Sequence, residues 1–292
     1  MANYQNLSAA EIKGHRMLVF RRLFAYVVLI LVCIVCIFPF VMLLVNTTKD
    51  TATLKTTFSL IPGSDFMRNL SNAISETKVS VLNSMINSLI VAAISCVTSV
   101  YIATLTAYGL YAYNFRLKKA AFVFIMIILM VPTQVSALGF VNMMEAWGLK
   151  DSFIPLIFPT LASPAVFFFV KQYMESSLPL EIVEAGRIDG GQEFYIFNFV
   201  VMPILKPAMA VQLIFQFVAS WNNYFLPQLL MDNSSPNATL PLVVASLQAE
   251  AYLTDLGEVY MILGFAIVPL IVVYLCLSKY IIRGIALGSV KG

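Results

Sequence analysis

Long apolar runs alternate with short polar breaks along this chain, and six of the runs reach the length of a membrane span. A hydrocarbon layer about 30 Å thick is crossed by roughly 20 helical residues. The first run, Leu23 to Val45, is uncharged. It is too long for a signal-peptide core and has no small-residue cleavage site at Val45-Asn46-Thr47, so it is expected to be retained. The second lies inside the uncharged stretch Val79 to Phe115, and the third is Ala120 to Met144, interrupted by Pro132. The fourth, Ser152 to Val170, contains Pro155, Pro159 and Pro164; the fifth is Pro207 to Met231 and the sixth Val259 to Ser278. This pattern predicts an all-α membrane protein with six transmembrane helices.

The breaks are unequal. Asn46 to Val81 and Asp232 to Glu258 are each long enough for a short surface helix, the second over Leu242 to Tyr252. The stretch from Glu181 to Pro207 is different in kind. Pro179 can open a helix, Glu181 and Glu184 suit its positive end, and Gly190-Gly191 can stop it. Phe194, Phe197, Val200 and Val201 then repeat at helical spacing, which predicts a second helix ended by Pro203 and Pro207 before the fifth span. A helix-turn-helix with exposed rings is expected there. With no core of its own, such a module lies on the membrane surface or in a groove of another protein.

Composition agrees with a lipid solvent: 60% of the 292 residues are hydrophobic and 11% charged, against about 25% charged in an ordinary soluble domain. The net charge of +3 is dispersed, with no basic tract to collect phosphates, which argues against nucleic-acid binding. Charge instead reads as topology. Thirteen basic residues (Lys13, Arg16, Arg21, Arg22, Arg116, Lys118, Lys119, Lys171, Arg187, Lys206, Lys279, Arg283, Lys291) fall on one side of the six spans. Only Lys49, Lys55, Arg68, Lys78 and Lys150 fall on the other. By the positive-inside rule both termini are cytoplasmic. The chain then divides into a cytoplasmic segment 1–22, a transmembrane domain 23–281 with the polar loop 176–206, and a cytoplasmic tail 282–292.

The candidate chemistry is sparse. Cys33, Cys36, Cys96 and Cys276 lie within apolar runs and read as small apolar residues, and the single histidine, His15, makes a metal or haem site improbable. No glycine-rich loop with Lys-Ser/Thr is present, and Gly288-Ser289-Val290-Lys291-Gly292 has the wrong spacing, so the chain is expected to bind no ATP and to have no catalytic residue. The six spans contain no Asp, Glu, Lys, Arg or His. That argues against an ion-coupled secondary transporter, which needs such groups, and suits an uncharged solute.

The loop EIVEAGRIDGGQEFYIFNFVVMPILKP resembles the EAA motif of binding-protein-dependent ABC importer permeases, with Glu184, Ala185, Gly190 and Pro203 in register. Gly186, Val200 and Met202 replace the motif's second Ala, Ile and Leu. Trp221-Asn222-Asn223-Tyr224-Phe225-Leu226-Pro227 and the ending Arg283 to Gly292 are similar to carbohydrate importers, and to subunits like the smaller permease of the maltose transporter. The resemblance implies a type I importer permease fold and a coupling helix that docks on an ATP-binding subunit. The coupling residues would be Glu184, Ala185, Gly186, Asp189, Gly190, Pro203, Gly288 and Lys291. It further implies a second homologous permease, two ATPase subunits holding ATP and Mg, an extracytoplasmic solute-binding protein, and a bacterial or archaeal cytoplasmic membrane.

For the substrate pathway, Gln212, Gln216, Ser220 and Asn223 recur at steps of four, four and three, which predicts one polar face on the fifth helix. Trp221 and Tyr224 would supply an aromatic plane for a sugar, with Asn83, Asn87, Gln134 and Ser136 contributing from other helices. The same amides serve equally well as hydrogen bonds between helices. A permease for a non-sugar solute stays open at this point.

Overall fold

A computed structural model describes residues 9–75, 81–249 and 255–289, with side chains from 17 onward and up to 279. Among these residues the regular structure is helical, without a strand. Two compact units are distinguished. One holds the first helix, the loop up to Leu70 and the start of the last helix, Asp255–Gly264; the other runs from Ser71 and again from Phe265.

In the first unit, α1 (Ala9–Asn46) contains an apolar span, Met17–Asn46. Its end is tied by polar groups. Lys49, 3% exposed, donates to Asn46 Oδ1 at 3.3 Å, and buried Asn69 donates to the carbonyls of Thr47 and Lys49 at 2.8 and 2.9 Å. The expected surface helices are α2 (Thr51–Thr56), capped by the Asp50 carboxylate, and α3 (Phe66–Ile74). Thr51 and Arg68 both reach Asp255 at the head of the last helix, at 2.6 and 3.4 Å.

The second unit is organised on α4 (Val81–Ala112), which packs against later helices through small buried residues, among them Ser84, Ser88, Ala92, Ser99, Ala103 and Ala107. The third expected span is interrupted at Pro132, as the sequence suggested, and the break is sharp. α5 (Lys118–Met130) and α6 (Thr133–Ala146) meet at 94°. Pro132 forces Val131 out of helical conformation, to φ −77 and ψ 119, and brings no N–H to continue the ladder. The fourth span restarts at its prolines, as α7 (Ile154–Ile157), a tight turn Phe158–Leu161 and α8 (Pro164–Ser177).

After α9 (Leu180–Ile188) comes one continuous helical path. It consists of α10 (Glu193–Tyr195), a wide π turn Ile196–Val201, and α11 (Met202–Trp221). Pro203 and Pro207 therefore do not break the helix, contrary to the sequence reading. Pro203 follows directly on the wide turn, which relieves the clash of its ring with the carbonyl four residues back. Then follow α12 (Phe225–Leu230), α13 (Leu240–Ala249) and α14 (Leu256–Ser289). Among the described residues five helices are long and apolar enough to span a membrane, or six if the bent pair counts as one. The last runs beyond residue 281 as far as Ser289.

Candidate coupling loop and polar span

Between Leu178 and Val201 the chain folds back on itself around a tight stop. Pro179 precedes α9, and the helix ends where Gly191 N–H bonds to the Gly186 carbonyl and Gly190 N–H to that of Arg187, at 3.0 and 3.1 Å. This is the paired closure that requires a left-handed residue between helix and exit, and Gly190 supplies it at φ +80. Gly191 is needed for space, because a Cβ there would lie 2.8 Å from the Gly186 carbonyl oxygen. At Gly186 a Cβ would meet Ile196 at 3.3 Å, so the departure from the motif's alanine coincides with a close crossing of α9 over the π turn.

The hairpin is closed by charge. Arg187 donates from Nε to Glu193 Oε1 at 2.6 Å and from Nη2 to Oε2 at 3.3 Å, a bidentate pair. The guanidinium lies over the Tyr113 ring, 5.0 Å from its centre, and Glu193 holds it well above an ordinary arginine value. α4 grips the hairpin with a ladder of tyrosines. Tyr101 donates to Asn198 Oδ1 at 3.2 Å, Tyr108 to Glu193 Oε2 at 2.9 Å, and Tyr111 to the Leu178 carbonyl at 2.7 Å.

One reading of the loop is corrected here. Phe197 and Val201, expected on an exposed face, are 0% exposed, and Phe197 packs between Tyr101 and Tyr108 with ring centres 5.7 and 5.4 Å away. Loop and transmembrane bundle share one core, which periodicity could not reveal. What faces outward is Glu184, Ala185, Ile188, Asp189, Phe194, Tyr195 and Phe199. Ile188 at 85% exposed is the most open large apolar residue of this surface. Of the other coupling residues named from the motif, Pro203 lies at the start of α11, Gly288 on α14, and Lys291 outside the described residues.

The polar span comes together only in part. Gln212 is buried, and Gln216 and Ser220 are half-buried along α11. α11 stops at Trp221, so Asn223 does not continue that face; its Oδ1 instead accepts from Leu226 N–H at 3.5 Å, at the head of α12. Trp221 is 2% exposed, stacks on Phe217 and donates to the Ala266 carbonyl at 3.1 Å, so its ring is already used in packing. Tyr224 is exposed. Asn87 donates to the Pro236 and Ala238 carbonyls at 2.8 and 3.0 Å and ties α4 to the stretch before α13. Asn83 and Gln134 are exposed, Gln134 accepting from Thr133. No group of metal-binding side chains occurs among the described residues. The sequence reading missed the tyrosine ladder and the Arg187–Glu193 pair, whose signal was the spacing 101, 108, 111 on one helix and two opposite charges flanking a Gly-Gly stop.

Residues 99–287, which hold both regions, match the family of binding-protein-dependent transport system inner membrane components. The chain belongs to that family. It is therefore a permease subunit, a transport component and not an enzyme, and a multi-pass membrane protein. An arabinooligosaccharides transport system permease of Bacillus subtilis is 35% identical over 210 residues, 70% of this chain and 72% of that one. A lactose transport system permease of Rhizobium radiobacter is 28% identical over 91% of this chain and 95% of its own. An sn-glycerol-3-phosphate transport system permease of Salmonella choleraesuis is 26% identical over 90% and 95%. In fold, the permease is similar to a chain of a bacterial ABC transporter involved in the import of alginate, with a TM-score of 0.72 at 21% identity. That likeness covers 94% of this chain and 99% of the other.

Proposed function

We propose that this permease carries sugars, most readily oligosaccharides, across a bacterial or archaeal cytoplasmic membrane as one of two homologous permeases of a type I ABC importer. Both termini and the loop 176–206 face the cytoplasm. Two ATPase subunits, which bind ATP and Mg, take up the surface of Glu184, Ala185 and Ile188, and a solute-binding protein delivers sugar on the far side. The observation that carries this reading is the hairpin itself: a short helix, fixed from behind by Arg187–Glu193 and the tyrosine ladder, turns its acidic and apolar side outward, and none of the described residues covers it. ATP-driven motion of the partners would enter at α9 and leave through α11.

Two of the three relatives are named for sugars and one for a phosphate ester. The six apolar stretches read as spans carry no cation to meet a phosphate, Lys171 of α8 and Lys206 of α11 lying outside them, which favours the neutral solutes. The native complex, purified and reconstituted with its binding protein, should hydrolyse ATP faster with an arabino-oligosaccharide or lactose than without. Stimulation by glycerol 3-phosphate alone would overturn the sugar assignment. Uptake driven by an ion gradient with no ATP would overturn the importer.

A further inference from the structure

The only connection by which α9 can pull on α11 through the chain itself is the π turn Ile196–Val201. Its bonding is one residue wider than an α-helix, as Met202 N–H donates to the carbonyl of Phe197, five back. A turn of this kind can relax to α-helical bonding by exchanging acceptors, and giving up its one extra residue would rotate the helix beyond it by about 100°. Displacement of the loop would then be spent as rotation at the turn. Two side chains oppose this. Asn198 donates from Nδ2 to the Phe194 carbonyl at 2.7 Å, the group that α-helical bonding would give to its own backbone N–H. Its Oδ1 accepts from Tyr101, which fixes the amide's orientation from α4. Phe197 and Val201, both fully buried, anchor the turn on either side.

On the reading that this loop couples ATP to transport, we propose that Asn198 and Tyr101 are positioning residues. They lock the π turn as a stiff joint, so that motion of α9 reaches the fifth span undiminished. Neither residue belongs to the motif that marks the loop, and neither touches the outward surface of α9.

The test uses the whole reconstituted importer. Asn198→Leu should lower sugar taken up per ATP hydrolysed at least threefold, with the stimulated ATPase within about twofold of wild type. Tyr101→Phe should fall in the same direction by less, and the double variant should be no worse than Asn198→Leu, because both act on one contact. Uptake and ATPase falling in proportion, or additive losses, would show a merely structural role and overturn the proposal. A second measurement is independent of the solute. Spin labels on Glu181→Cys and Phe215→Cys, with the four native cysteines replaced by alanine, should give a narrow distance distribution with and without a trapped ATP analogue, broadened by Asn198→Leu. Equal widths in both proteins would overturn the joint even in an importer that takes no sugar, whereas the absence of sugar uptake by wild type counts only against the proposed substrate.

Discussion

Gly190 and Gly191 stand side by side yet are required for different reasons. At Gly190 an added Cβ meets nothing within 4 Å, so the constraint is the backbone angle of φ +80 alone. Gly190→Asn, a residue that tolerates the left-handed region, should transport like wild type. Gly190→Val should cost roughly 2 kcal/mol at the turn and abolish transport while the permease still inserts and assembles. At Gly191 the constraint is space, so even Gly191→Ala should impair coupling; uptake in proteoliposomes beside complex yield separates the three outcomes. The turn was legible from the sequence because a paired glycine after a helical stretch has few other uses. Trp221 and Asn223 were not legible in the same way. A polar or aromatic residue on an apolar helix looks the same whether it meets a sugar, a carbonyl or a helix start, and only the position of the helix end, one residue after Ser220, distinguishes them.

Among elements, the hairpin α9–α10 gains its rigidity from a half-exposed ion pair, the Arg187 side chain 33% and the Glu193 side chain 42% accessible. Charge-assisted bidentate bonds contribute about 1.5–3 kcal/mol when sheltered, and exposure of this degree reduces that to about 1. A double-mutant cycle of Arg187→Met and Glu193→Gln should return a coupling energy of about 1 kcal/mol in thermal unfolding of the complex, larger at low salt. The apolar runs were readable because bilayer thickness imposes span length whatever packs around it. Proline was readable as a break at Pro132 and misleading at Pro203. Its effect depends on whether the preceding turn can widen, a property of Ile196–Val201 that no residue there announces. Phe197 was misplaced for a related reason: helical spacing says that a face is apolar and is silent on what covers it.

At the scale of the molecule, the 13-to-5 division of basic residues predicts an orientation that reporter fusions can check. Fusions after Lys119 and Lys206 should report cytoplasm, and one after Ser235 the exterior; a cytoplasmic signal at Ser235 would undo the six-span arrangement. The right-angled elbow at Val131–Pro132 bears on how the cell handles this chain. Where one helix stops and another starts, backbone groups go unpaired, and in hydrocarbon each costs several kcal/mol. Val131 and Gln134 at that corner lie open on the isolated subunit. Where partner subunits cover that corner within the bilayer, a copy made without them would carry a penalty that assembly relieves. The abundance of this permease would then follow the supply of the subunits that shelter the elbow, with surplus chains left to the membrane's proteases and no regulator needed to match the numbers.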